Sequence, residues 1–153
     1  MNSMIRNEKK DMEQQSAENR IWLMPANPKN YDIEAAFRQY DTIEWKQSYT
    51  YEVGDIIYIY VSGTVRQVRY KVEVVETSVK REPSKNGKQF WKDIESQKGF
   101  QEVKRMKIRL LEEVDTPELS LNELREQGLK GNIQGAMKLK GDLRKFIELN
   151  FSH

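Results

Sequence analysis

Val53-Gly54-Asp55-Ile56-Ile57-Tyr58-Ile59-Tyr60-Val61-Ser62-Gly63 is the stretch that decides the fold. Val-Gly-Asp marks a tight turn. The residues after it alternate, with Ile57, Ile59 and Val61 on one side and Tyr58, Tyr60 and Ser62 on the other, which is the period of two that defines a strand. This strand has an aliphatic face and an aromatic, polar face. After the Ser62-Gly63-Thr64 turn, Val68, Tyr70, Val72 and Val74 alternate with Gln67, Arg69, Lys71 and Glu73, predicting a half-buried strand with a charged outer side. The two runs predict a hairpin.

Working outward, Ile21-Trp22-Leu23-Met24 is a short apolar run stopped by Pro25 and Pro28, which suits a buried strand entering a loop. Asp32 can cap a helix whose Ile33, Ala36, Phe37 and Tyr40 share one face. Downstream, Lys80 to Gly99 reads as a charged surface excursion with Pro83 and the turn signal Asn86-Gly87, anchored by Phe90, Trp91 and Ile94. Another strand follows, with Met106, Ile108 and Leu110 inward and Arg105, Lys107 and Arg109 outward. Ser120-Leu121-Asn122-Glu123 is a capping box with Gly128 as the stop, and Leu143, Phe146 and Ile147 form the stripe of a last helix. The expected fold is α+β, a small curved mixed sheet or partly closed barrel flanked by short helices. Residues 1–19 are polar without an apolar period and read as a mobile arm, so the domain is expected over 20–153.

Composition narrows the function. At 153 residues the chain suits one core. It holds no run of about 20 apolar residues to span a bilayer and no leader-like start, so a cytoplasmic protein away from membranes is expected. There is no Cys, and the single His is His153. Thiol nucleophiles and thiolate zinc sites are therefore excluded, and imidazole base chemistry nearly so. No phosphate-binding glycine loop, dinucleotide fingerprint or nucleophile elbow is present. No metal or cofactor is expected, and an enzyme would have to work with Lys, Tyr or carboxylates alone.

Charge is uneven. Residues 66–109 carry 13 basic and 6 acidic groups, while the whole chain is only +2. A local excess of this kind is either a polyanion-facing surface or a solvated hairpin. Within it, Arg66, Arg69 and Lys71 are a phosphate-contact set or simply a charged outer face. Trp45 sits in the polar segment Ile43-Glu44-Trp45-Lys46-Gln47-Ser48, which reads as a loop between a helix and a strand, where it can stack on a flat group with Gln47 and Ser48 bonding the edge, or plug the end of the sheet. Asn27 can read a base edge or make an Asx turn. Tyr60 and Ser62 share a strand face that lines a cavity or meets solvent. Asn132 and Gln134 lie between Gly131 and Gly135, where glycines allow a ligand close approach or serve a plain turn.

Several of these segments together resemble an EVE domain, a member of the PUA-like superfamily related to the YTH and ASCH domains. They are Ile21-Trp22-Leu23-Met24-Pro25-Ala26-Asn27-Pro28, Ile43-Glu44-Trp45-Lys46-Gln47, the Val53 to Gly63 strand, its hairpin partner through Val74, and Gly131-Asn132-Ile133-Gln134-Gly135. The resemblance implies a PUA-like pseudobarrel with a pocket for one flipped-out, modified base. Trp45 would match the stacking aromatic, Asn27 the edge-bonding loop residue, and Tyr60 and Ser62 the strand end beside the pocket. Trp22, Gln47, Ser48, Asn132 and Gln134 complete the expected pocket, and Lys46 joins Arg66, Arg69 and Lys71 as expected phosphate contacts. The implied partner is modified DNA or RNA, with 5-methylcytosine or 5-hydroxymethylcytosine in DNA as the implied mark. Such domains are often fused to nucleases; this sequence has none, so a restriction role would need a separate nuclease subunit. Two rivals stand beside this reading: a general PUA-like RNA-binding protein, and an ASCH-like amidohydrolase of modified nucleosides. The second would require a Gly-x-Lys motif with Glu and Arg following, and Gly128-Leu129-Lys130 lacks those followers.

Overall fold

Alternation along the chain builds six strands, β1 (Ile21–Ala26), β2 (Thr42–Lys46), β3 (Ile56–Val61), β4 (Gln67–Val79), β5 (Arg105–Glu113) and β6 (Met137–Lys138), in a computed structural model that describes residues 20–80 and 89–152. They form one mixed sheet in the order β2-β5-β4-β3-β1-β6. Only β1 and β3 pair in parallel, and the crossover such a pair requires is supplied by helix α1 (Ile33–Gln39) and β2. Helices α2 (Ile94–Glu102), α3 (Leu121–Glu126) and α4 (Gly141–Leu149) complete the α+β architecture. The expected arm over 1–19 and the Asn86-Gly87 turn lie outside the described residues. Among those residues no helix is long and apolar enough to cross a membrane.

The local expectations hold at several points. Asp32 caps α1 by accepting from Ala35 N at 3.1 Å, and Ile33, Ala36 and Phe37 are its buried face. Ser120 Oγ accepts from Glu123 N at 3.4 Å, and Gly128 ends the turn after α3 at φ +110°. The β3–β4 hairpin forms as expected.

The central strand departs from its expected half-and-half pattern. Ile57, Ile59 and Val61 enter a core with Met24, Phe37 and Met106 beneath α1. Tyr58 and Tyr60 enter a second core with Leu119, Leu124, Leu143, Ile147 and Phe151. Both faces of β3 are thus covered, because α3, α4 and the chain after α4 pack on the side that alternation marks as polar. Burial pushes the Tyr58 hydroxyl well above the usual tyrosine range.

A β-bulge alters the hairpin partner too. Ile59 pairs with Tyr70 but Tyr60 pairs with Val68, leaving Arg69 as the extra residue on β4. Val68 therefore joins the second core while Tyr70, Val72 and Val74 stay in the first. Strict alternation puts all four on one face; the inserted residue reverses the side from that point on.

Three further expectations are corrected. Arg105, expected outward, is 1% exposed, and its Nε lies 3.3 Å from Glu44 Oε2 on the neighbouring strand. Ile94, expected as an anchor, is 69% exposed at the start of α2, and Phe100 on that helix is buried instead. The segment holding Trp45 is no loop but the edge strand β2, paired along its length with β5.

Candidate functional site

Beside β1, the chain from Trp45 to Tyr51 and the loop Gln134–Ala136 enclose a cleft of about 330 Å³. Its walls are aromatic: Trp45, Tyr49 and Tyr51, with Met24 and Pro25 of β1 behind them. Alternation in β2 turns Trp45 toward the first core, where it is half-buried. Its indole stands edge-on to Tyr31 at 5.1 Å and 89°, and Tyr31 is itself held by Trp91 at 4.8 Å. Edge-to-face packing of this kind fixes the indole plane before any ligand arrives. Tyr51 is buried, and its burial raises the hydroxyl well above the usual range, so it stays a neutral donor. Tyr49 is exposed and lies 6.3 Å from Tyr51. A Cβ at Gly135 would sit 3.2 Å from the Tyr49 hydroxyl, so this glycine lets the ring lie where it does. Polar groups at the opening come from Lys46, Ser48 and Gln134.

Gln47 holds this wall together from beneath. It is buried; its Nε2 donates to Tyr49 O at 3.1 Å, and its Oε1 accepts from Ser78 N at 2.7 Å. Its backbone N donates to Lys104 O at 2.9 Å. A side-chain amide used at both ends ties the aromatic loop to β4, at the point where a register shift places Ser78 at φ +57°.

Behind the Tyr51 wall, the Trp22 indole packs edge-on to Tyr51 at 4.8 Å, and its Nε1 donates to buried Asp55 Oδ2 at 3.2 Å. Glu52 N donates to the same oxygen at 3.0 Å, and Arg20 Nε lies 3.3 Å from Oδ1. Burial raises the Asp55 pKa despite these partners. The folded chain therefore takes up this proton at a higher pH than the unfolded chain. The stability from this group is full below the ordinary aspartate value of about 3.9 and is lost as pH rises through the raised folded value. Urea unfolding of the native chain and Asp55→Asn across that range is expected to show the native chain gaining on the variant as pH falls. A gap that widens toward neutrality instead would contradict the assignment.

The expected site residues separate into those the cleft gathers and those it does not. Trp45, Lys46, Ser48 and Gln134 line it. Gln47 and Trp22 stand behind its walls. Asn27 is exposed at the end of β1, where its Oδ1 accepts from Lys29 N at 3.0 Å in the alternative Asx turn. Ser62 Oγ donates to Ala26 O at 3.3 Å, tying β3 to β1. Tyr60 belongs to the core on the other face of the sheet. Asn132 Oδ1 accepts from Arg125 at 3.1 Å, away from the cleft.

The expected phosphate set is dispersed. Arg69 Nε donates to Val114 O at 2.7 Å, Lys71 reaches over Tyr58 in the opposite face's hollow, and Arg66 lines a separate small hollow. Three of the basic groups in this stretch are also engaged within the sheet, Lys107 with Glu76, Arg109 with Glu73 and Arg105 with Glu44. Lys138, which has its ammonium 5.5 Å from the Trp22 ring centroid, is the cation near the aromatic cluster that spacing did not flag. Tyr49 and Tyr51 also lie outside the expected set; their signal in the sequence is three aromatics at 45, 49 and 51 in an otherwise polar stretch.

Comparison with known proteins adds a family. The EVE domain model matches residues 20–145. No curated protein matches. Among solved structures, ASCH from Zymomonas mobilis aligns with a TM-score of 0.61 at 13% identity, covering 86% of this chain and 95% of that one. A hypothetical protein from Leishmania major aligns with a TM-score of 0.58 at 19% identity, covering 88% and 96%. A protein from Pseudomonas putida gives 0.55 at 16%, covering 84% and 97%. At these identities the likeness is one of fold.

Proposed function

The chain belongs to the EVE domain family of the PUA-like superfamily, and from that membership we propose that it is a nucleic-acid-binding module that reads a modified base turned out of its strand. The observation that carries this reading is the cleft of Trp45, Tyr49 and Tyr51, preset by Tyr31 and Gln47 and edged by Lys46, Ser48 and Gln134. Flat aromatic walls take a base by stacking, neutral donors and acceptors read its edge, and a lysine at the opening meets the phosphate that follows. Extruding a base costs a few kcal/mol, and stacking of about 1 to 3 kcal/mol plus edge hydrogen bonds can offset it. The ligand proposed is 5-methylcytosine or 5-hydroxymethylcytosine in DNA. A nuclease subunit is the partner proposed for cleavage of marked DNA.

Fluorescence anisotropy tests this on matched oligonucleotides carrying cytosine, 5-methylcytosine, 5-hydroxymethylcytosine or N6-methyladenine. The expected result is preference for a modified cytosine, weakening with salt, and a loss of about 5- to 150-fold in Trp45→Ala. Equal affinity for all strands, still lost in Trp45→Ala, would favour an RNA- or DNA-binding protein without modification preference. Affinity untouched by Trp45→Ala would remove the cleft from the reading.

A further inference from the structure

On the opposite face of the sheet a larger hollow of about 600 Å³ lies between the strands and α4, within the range of small-molecule sites. Its position follows from how α4 packs. The helix buries Leu143 and Ile147 in the second core. Arg144, Lys145, Glu148 and Leu149 line the hollow beside the sheet. The floor is apolar and aromatic. Ile21 and Ile56 stand side by side in the β1–β3 register, and Tyr58 meets Phe151 at 5.0 Å. Leu149, at the rim, is 84% exposed.

The charges around this floor do not cancel. Arg144 is paired with Glu148 one turn on. The nearby Glu112 is engaged elsewhere, with both carboxylate oxygens accepting from Ser152 N at 2.9 Å. Lys71, which pairs across the strands with Glu112, reaches instead toward the Tyr58 ring, 5.9 Å from its centroid. Among the described residues neither Lys71 nor Lys145 makes an ion pair. Two uncommitted ammonium groups therefore face one desolvating, partly aromatic floor. In such surroundings an anion is held more strongly than at an open surface, and an apolar body beside it gains by burial.

We propose that this hollow is a second binding site, separate from the Trp45 cleft, for a small organic anion that carries a flat apolar body. The apolar part lies on Ile56, Tyr58 and Phe151, and the carboxylate, sulfonate or phosphate sits between Lys71 and Lys145. This assignment stands on the opposite face of the sheet and does not depend on how the cleft is read.

Anilinonaphthalene sulfonate has this chemistry and fluoresces when its ring is desolvated; uncharged N-phenylnaphthylamine has the ring system without the anion. The native chain is expected to bind one equivalent of the sulfonate saturably. The double variant Lys71→Gln/Lys145→Gln should weaken that binding by about tenfold, with the uncharged probe unaffected. Lys71→Arg/Lys145→Arg should restore it, and Trp45→Ala should leave it unchanged. Absence of saturable binding, equal weakening of both probes, or loss of the sulfonate in Trp45→Ala would each overturn the proposal.

Discussion

Arg105→Met is expected to destabilise the folded chain by about 3 to 5 kcal/mol, with Arg105→Met/Glu44→Leu recovering part of that loss. Arg105 is among the most deeply buried side chains, and Glu44 on the adjacent strand β2, its ion-pair partner, is buried too. Each charge is tolerable there because the other is present. Arg105 also donates from Nη1 toward Phe100 O at 3.4 Å and Val103 O at 3.5 Å, tying the end of α2 to the start of β5. Removing the cation alone leaves a carboxylate with neither water nor a counter-charge. Removing both takes away the orphaned charge and leaves the carbonyls of Phe100 and Val103 short of a donor, a smaller penalty. Urea unfolding of the two single variants and the double variant measures this as a cycle. A double variant as unstable as the sum of its singles would mean that the pair is two independent contacts, and that an orphaned charge is not what the single variants suffer from.

The same pair shows how far the fold was legible. The alternation of β3, β4 and β5, the capped α1 and the box at Ser120 were readable because each depends on residues within one turn or a few positions along a strand. What escaped depends on distant neighbours. Arg105 occupies an outward position by period, and only its pairing with Glu44, about 60 residues earlier, lets it lie inside. Val68 changes face because of a single bulge whose cause is the partner strand. The polar face of β3 is buried by helices that come later in the chain. At the candidate site, Trp45, Ser48 and Gln134, expected in a pocket, and Lys46, expected at phosphate, line one cleft. Asn27, Tyr60, Ser62 and Asn132 were drawn from the same segments but point elsewhere, since segment order places a loop without saying which of its side chains faces inward. Tyr49 and Tyr51 went unflagged for the opposite reason: irregular backbone has no period to read.

The two tryptophans at the aromatic cluster should separate stability from recognition. Trp22→Ala is expected to cost about 3 to 5 kcal/mol, as truncation of a buried aromatic does. Trp22 is buried against Tyr51, and its indole N–H is one of the few donors to Asp55. Trp22→Phe keeps most of the packing and removes only that donor, so its cost should be about 1 to 3 kcal/mol, the penalty for a buried charged acceptor losing a hydrogen bond. Because the lost bond serves the ionised carboxylate, this cost should be largest at neutral pH and shrink on acidification as Asp55 takes up its proton. Trp45 is only half-buried on an edge strand, so Trp45→Ala should lower stability less than Trp22→Ala while removing most of the oligonucleotide affinity. Trp22→Phe, folded and with the cleft walls in place, should bind within a few-fold of the native chain. Thermal or urea unfolding beside anisotropy on the same three variants decides the matter. If affinity follows stability across the series, recognition is only a consequence of folding. If Trp45→Ala falls off that line while Trp22→Phe stays on it, the indole facing the cleft contacts the ligand and the one behind it supports the wall.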